Sequence, residues 1–291
     1  MYELNKIGQK SYYINCPAKI GVYKVNDTDV YLIDSGNDKD AGRKVRKVLD
    51  ENGWKLLGII NTHSNADHIG GNNYLQHQTG CKIFADKIEA AFTKYPVLEP
   101  SFLYGGYPCQ DLRHKFLMAK ESDVTEITDG DFPKELEVIE LKGHFFDMIG
   151  IRTPDNVVFL ADCISSKAAL DKYKISFIYD VEAYLETLDK VEALDADMFV
   201  PAHADASENI KELVQYNRLK VYEIIDKIKA ILKTPMGFEM LLKKLFDEYN
   251  LFMNFEQYVL VGSTIRSYLS YLKDSGQIEA EFTDNQLIWK S

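Results

Sequence analysis

Asn61-Thr62-His63-Ser64-Asn65-Ala66-Asp67-His68-Ile69-Gly70-Gly71-Asn72 follows directly on the apolar run Leu57-Gly58-Ile59-Ile60. An apolar run, then polar residues, then a glycine pair at a helix start reads as a strand that ends in a loop opening onto a helix. Such a loop can aim several side chains at one point. Its two histidines and one aspartate are ligand types for zinc and similar ions, and imidazole with carboxylate leaves room for an open coordination position. A histidine-rich loop alone is weak evidence. Its weight depends on whether further ligands arrive from elsewhere in the chain.

They arrive at three later strand ends. Leu136 to Leu141 reads as a strand ending in Lys142-Gly143-His144, Val157 to Leu160 as one ending in Ala161-Asp162-Cys163, and Met198 to Val200 as one ending in Pro201-Ala202-His203. Any one of these residues alone is more often a satisfied loop or core residue. The joint placement of His63, Asp67, His68, His144, Asp162 and His203 is hard to explain as packing. His77 and His114 lack such placement and read as ordinary surface or loop histidines.

Working outward, Tyr12 to Val25 and Val30 to Ile33 read as antiparallel strands with Asn26-Asp27 as a turn, and Leu32-Ile33-Asp34-Ser35-Gly36 as a strand leading into a glycine turn. Val45, Val48 and Leu49 keep helical spacing between Asp38 and Asn52, and Gly53 closes that helix. One helix is expected from the opening loop to about Gln78, stopped by Gly80, followed by a strand at Cys81 to Ala85. Val181 to Leu194 keeps helical spacing.

Lys94 to Glu121 breaks the rhythm. Its Tyr-Pro, Glu-Pro and Gly-Gly-Tyr-Pro steps predict a long irregular passage, too rich in Phe102, Leu103, Tyr104, Tyr107 and Phe116 for disorder. It reads as a lip over a site.

Alternating strands and helices over the first two hundred residues indicate a layered α/β domain with sheets inside. From Ser207 a long helix runs to Lys233. Beyond Thr234-Pro235, helices near Phe238 to Tyr249 and Ser263 to Leu272, then short strands around Ile278 and Leu287-Ile288-Trp289, suggest a small winged-helix-like unit. The expected division is 1–206 and 207–291.

Bulk properties limit the function classes. The chain has 291 residues, 46% of them hydrophobic, and a net charge of -11, which argues against a general binder of nucleic acid or anionic membrane. Residues 211–291 balance eleven basic against eleven acidic side chains, so the excess lies in the first 210. No run resembles a signal peptide or a membrane span. The four cysteines are scattered without CxxC pairing, as expected of reduced, packed thiols in a cytoplasmic protein.

The succession of motifs resembles the metallo-β-lactamase superfamily. Asp34 in Leu-Ile-Asp-Ser-Gly resembles the first motif, the opening loop His-x-His-x-Asp-His, Gly143-His144 the third motif, Asp162 the fourth and His203 the fifth. The resemblance covers about residues 11 to 206, and the tail is similar to the helical, winged-helix extension of some members. It implies a four-layer αββα sandwich with metals at the sheet edge. One site would be formed by His63, residue 65 and His144. The other would be formed by Asp67, His68 and His203, with Asp162 bridging. Zinc ions about 3.5–4 Å apart would activate a hydroxide, Asp67 would orient it, and Asp34 would fix a ligand imidazole from behind.

The chain departs from that pattern at Asn65, where the family has histidine. An amide oxygen is neutral and harder than imidazole, hence a poor zinc ligand. Three outcomes are open: one firmly held metal, a site filled by an oxygen-tolerant metal such as iron or manganese, or no metal. Phe145-Phe146-Asp147-Met148 replaces a small turn and offers, with Tyr104 and Tyr107, either an apolar substrate wall or core packing.

The expected function is metal-dependent hydrolysis of a small ester, lactone, thioester or similar substrate. The alternatives are a nucleic-acid-processing nuclease and a metal-binding sensor that has lost catalysis through Asn65. Charge disfavours the nuclease, since the helix at Ser263 to Leu272 and its end offer only Arg266 and Lys273. Tyr268 and Tyr271 there suit packing or homodimer formation.

Overall fold

The computed structural model describes residues 2–291. Two sheets form its centre. The first carries seven strands in chain order: β1 (Glu3–Lys6), β2 (Ser11–Asn15), β3 (Ile20–Lys24), β4 (Asp29–Ile33), β5 (Lys55–Ile60), β6 (Lys82–Ala85) and β7 (Thr125–Glu126). Pairing is antiparallel up to β4 and parallel from β4 onward. The second sheet has the order β11 (Met198–His203), β10 (Val157–Ser165), β9 (Ile149–Arg152), β8 (Glu137–Glu140), with only β10 and β11 parallel.

Strand alternation sets the layers. Val22, Leu32 and Ile59 pack on one face against Val45, Val48 and Leu49 of α1 (Lys39–Glu51). Their neighbours Tyr23, Ile33 and Ile60 point the other way, into a core shared with Ile151, Phe159 and Val200 of the second sheet. On the far side of that sheet, Val158 and Leu160 meet Val181 and Leu188 of α7 (Val181–Ala193) and Val214 and Val221 of α8 (Lys211–Leu232). The result is a four-layer αββα sandwich.

After α8 come α9 (Phe238–Tyr249), α10 (Phe255–Asp274) and a hairpin of β12 (Glu279–Thr283) and β13 (Gln286–Lys290). Leu241, Leu245, Ile265 and Leu269 extend the core that Leu160 and Leu188 begin. Tyr268 is fully buried there, so it packs. No helix among the described residues is long and apolar enough to cross a membrane. All four cysteines are free, and Cys16, Cys81 and Cys163 are buried.

Several elements differ from expectation. The single helix after the opening loop is two, α2 (Ala66–Ile69) and α3 (Asn72–Thr79), separated by Gly70-Gly71. A Cβ on Gly70 would stand 2.3 Å from the Asn37 carbonyl carbon, and one on Gly71 2.3 Å from the Ser35 oxygen. The glycine pair therefore lets the helix start dock on the backbone after β4. The stretch expected to be irregular contains α5 (Leu98–Tyr104) and a 3-10 turn at Gln110–Leu112, preceded by the unforeseen α4 (Lys87–Lys94); α6 (Lys167–Tyr173) was also unforeseen. Helix α10 starts at Phe255 rather than Ser263.

Candidate metal centre

The loops after β4, β5 and β8 and the last residues of β10 and β11 meet at one edge of the two sheets; Asp162 and His203 lie within their strands, β10 running on to Ser165 rather than stopping before Asp162. Asp67, His68, Asp162 and His203 each offer one ligand atom, all within 4.8 Å of one another, and His63, His144 and Asp162 form a second such group. All six expected ligand residues are thus brought together, with Asp162 common to both groups.

Local hydrogen bonding fixes the imidazoles. Asp34 takes Thr62 N–H on Oδ1 at 2.8 Å and the Thr62 hydroxyl on Oδ2 at 2.8 Å. The His68 Nδ1–H also donates to Oδ2, at 2.8 Å. Thr62 Oγ1 has spent its hydrogen on Asp34, so at 3.1 Å it accepts from His63 Nδ1–H. His203 donates Nδ1–H to the Pro17 carbonyl at 2.9 Å. With Nδ1 protonated in each, the Nε2 lone pairs of His63, His68 and His203 are free for the cluster.

The remaining ligand types are aimed by backbone irregularity. The pairing of β10 with β11 shifts register between Phe159 and Ala161 and again before Ser165, and Ala161 has φ of +51°. A bulge of this kind re-aims the side chain that follows it, here Asp162. Gly143 adopts φ of +114°, and a Cβ there would lie 2.3 Å from the Tyr184 backbone nitrogen. Only glycine lets the His144 loop sit against α7.

Distances between ligand atoms suit a shared cation. Asp162 Oδ1 lies 3.1 Å from His68 Nε2, and Asp162 Oδ2 3.2 Å from His203 Nε2 and 3.8 Å from His144 Nε2. Asp67 Oδ2 lies 3.2 Å from His203 Nε2 and 3.7 Å from His68 Nε2. Ligand bonds of about 2.0–2.2 Å put neighbouring donors roughly 3–3.6 Å apart. His63 Nε2, His68 Nε2 and Asp162 Oδ1 are buried without a well-aligned hydrogen-bond partner. Such orphaned atoms are costly, and they are the ones a divalent ion would satisfy. The residues fit the group.

Electrostatics agree. Burial alone would raise Asp162, but His203 and His68 beside it hold its carboxyl well below the usual range. Burial would lower His68, yet Asp162, Asp67 and Asp34 outweigh it and raise its pKa well above the ordinary imidazole value. Asp162 is the chief reason that His203 is raised to about 10. The carboxylates therefore favour positive charge at this spot. Burial instead lowers His63 and His144, keeping both in the neutral form that ligates.

A model of the metallo-beta-lactamase superfamily matches residues 15–203. The chain belongs to that superfamily. Among solved structures it is similar to a beta-lactamase domain protein from Burkholderia ambifaria, with a TM-score of 0.75 and 14% identity over 99% of this chain and 93% of that one. It is also similar to a metallo-beta-lactamase family protein from Thermus thermophilus, at 0.72 and 15% over 99% and 98%. These likenesses show the fold and include the C-terminal helices; a metallo-beta-lactamase from Pontibacter korlensis covers 76% of the chain.

Among curated proteins, hydroxyacylglutathione hydrolase of Rhodopseudomonas palustris (strain BisB18) is 29% identical over half of this chain and 48% of its own length. That of Cereibacter sphaeroides (strain ATCC 17029) is 25% identical over 57% of this chain and 56% of its own. The chain spans about half the length of these two relatives.

Residues expected at a substrate wall lie in different surroundings. Phe145 is fully buried, with its ring 6.2 Å from that of His63, and Phe146 stacks on Tyr179 at 4.0 Å. Tyr104 is half exposed, and Tyr107 is exposed and accepts a hydrogen bond from Arg113.

Three polar residues around the cluster escaped the sequence reading: Thr62, Glu89 and Glu99. Glu89 is fully buried in α4 and accepts from Ser64 N, Ser64 Oγ and Asp147 N, tying together the loops that carry His63 and His144. Burial raises its pKa to about 7. Glu99, in the first turn of α5, accepts from the Asn65 amide, and burial raises it well above the carboxylate range.

Proposed function

We propose that this protein is a metal-dependent hydrolase of a small ester, lactone or thioester, with His63, His144, Asp67, His68, His203 and the shared Asp162 holding one or two divalent ions. The observation that carries the reading is the convergence of six ligand side chains in two groups joined by Asp162, with three imidazoles turned so that Nε2 is the free nitrogen. Within the ester-like class, the name of the curated relatives, hydroxyacylglutathione hydrolase, favours an acylated thiol. Zinc is the first candidate, with iron or manganese as alternatives.

A divalent ion in such a donor set supplies Lewis acidity, lowering the proton affinity of water and stabilising negative charge on a substrate oxygen. The protein's own groups do the rest. Asp34 and Thr62 keep the imidazoles in one tautomer and orientation. Asp67, the most exposed side chain of its group, is the carboxylate placed to orient the attacking water. Water adds to the acyl carbon, the carbon–sulfur or carbon–oxygen bond breaks, and the proton passes to the leaving thiol or alcohol.

We assign residues 1–206 to the hydrolytic unit and 207–291 to a unit that shapes its rim. The nuclease reading gains no support from charge, since Arg266 and Lys273 are the only basic side chains on α10.

The test is metal analysis of protein purified without chelator, together with turnover of a panel of thioesters, lactones and esters. Stoichiometric metal, and loss of turnover in His68→Ala and Asp162→Ala, are expected. Full activity in thoroughly chelated protein would sink the proposal.

A further inference from the structure

Glu99 is a buried carboxylic acid that the hydrolytic reading does not use. It comes from α5, in the lip, and is 5% exposed. Its Oε1 accepts a 2.8 Å hydrogen bond from Asn65 Nδ2. That bond decides which end of the amide faces the cluster. With the NH2 group held outward by Glu99, Asn65 Oδ1 lies 3.3 Å from His144 Nε2, close enough to accept a hydrogen bond from that nitrogen when it is protonated and within the separation of donors sharing one cation when it is not.

A second observation concerns the cap of α2. Asn65 occupies its N-cap but makes no side-chain capping bond. Asparagine is among the favoured residues at that position because its oxygen accepts from a backbone N–H of the first turn, a bond worth about 1 kcal/mol. Here the amide leaves that role, gives its N–H to Glu99 and turns its oxygen to the His63–His144 side. A carboxyl placed so as to accept from the amide suits an inward oxygen. An inward NH2 would point two donors at a place where a cation is wanted.

We propose that Glu99 is a positioning residue that holds the Asn65 amide oxygen inward, so that the His63–His144–Asp162 group is a mixed donor set of two imidazole nitrogens and two oxygens. A set with a neutral amide oxygen accepts harder divalent ions such as Mn(II) or Fe(II) more readily than an all-imidazole one. The inference rests on the cluster being a metal centre, as proposed above, and concerns only its Asn65 side. It makes the lip part of the metal site: helix α5 reaches the centre through Glu99.

The experiment is Mn(II) titration of metal-free protein followed by electron paramagnetic resonance. Wild type is expected to bind two Mn(II) per chain. Glu99→Leu should weaken one of the two sites by about 10–100-fold, the usual effect of removing a residue that orients a ligand, Asn65→Ala should weaken the same site at least as much, and both should leave the other unchanged. The double variant should be no weaker than the worse single one. Glu99→Gln, whose carbonyl can accept the same amide N–H, should restore affinity close to wild type, which a merely structural role for the acid would not require.

Two strong sites in Asn65→Ala or in a folded Glu99→Leu would overturn the inference, as would a single site in wild type. Should Glu99→Leu not fold, the wild-type amide decides. Its side-chain nitrogen resonance, identified by its loss in Asn65→Ala, should move when zinc is added, and an unmoved resonance overturns the proposal. Wild type that binds no metal at all brings down the hydrolase reading itself. Two bound metals, with turnover and silent variants, bring down only the role of Glu99.

Discussion

Asp34 Oδ2 lies 2.8 Å from His68 Nδ1, and both side chains are buried. The same carboxylate accepts both N–H and O–H of Thr62, and Thr62 in turn fixes His63. One carboxylate therefore sets the tautomers of two imidazoles, one from each ligand group. Asp34 sits at φ of +65°, a conformation that asparagine also tolerates. Asp34→Asn should thus keep the backbone while placing an NH2 among three donors. Metal affinity is expected to fall about 10–100-fold, measured by competition with a chromophoric chelator. Unchanged affinity would show that the imidazoles hold their orientation without it.

Glu89 makes stability depend on pH. Burial raises it from 4.5 in the open chain to about 7 in the fold, with the Asp147 charge nearby adding to the rise. Between those values the folded protein keeps a proton that the unfolded chain has released, so folding binds a proton and stability falls as pH rises. The contribution is complete below about pH 4.5 and lost by the time pH passes 7. The full loss is roughly 3 kcal/mol. Urea unfolding of metal-free protein between pH 4.5 and 8 should show this fall added to that from Glu99 and His203, and Glu89→Gln should make it shallower. Equal slopes in the two proteins would count against an elevated Glu89.

The parts of the site that could be read beforehand share one property: position in the fold is encoded next to the residue. His63, Asp67, His68 and His144 follow a strand, while Asp162 and His203 lie in the last residues of β10 and β11 just after an apolar run, and a strand end delivers such residues to the sheet edge. Glu89 and Glu99 have no such local mark. In Lys87-Ile88-Glu89 and Leu98-Glu99-Pro100 a carboxylate among charged or turn-forming residues looks solvated, and only the docking of α4 and α5 buries it. The split between α2 and α3 was hidden for a similar reason, because it answers to the backbone at Ser35 and Asn37 rather than to helical periodicity. Strand β9 carries little signal of its own, because Ile149-Gly150-Ile151-Arg152 is four residues long and interrupted by glycine.

Chelation should act on stability as well as on turnover. The ligand groups exist only in the fold, so an ion held there at one hundred times its dissociation constant adds about 2.7 kcal/mol of stability. Dialysis against a chelator is expected to lower the melting temperature, and adding back zinc or manganese to restore it. His203→Ala, which removes a partly exposed ligand, should shrink the difference between metal-free and metal-loaded protein without lowering the metal-free melting temperature much. The same metal-dependent difference in His203→Ala as in wild type would remove His203 from the ligand set.

Gly143→Ala tests whether the loop before His144 is held by close packing or merely tolerates glycine. At φ of +114° an alanine is strained by about 1–3 kcal/mol. Its Cβ would also stand 2.3 Å from the Tyr184 nitrogen and 2.4 Å from the Tyr184 Cα, both on the backbone of α7. That helix start is held in place: Gly143 O accepts from Tyr179 N and Asp180 N, and the Asp180 side chain caps α7 through Ala183 N. The loop must yield instead, and His144 moves with it. Metal binding should drop to one ion per chain, with the melting temperature of the metal-free protein several degrees lower. Two ions bound with wild-type affinity in Gly143→Ala would mean that the His144 loop has a second, unstrained way to reach the centre.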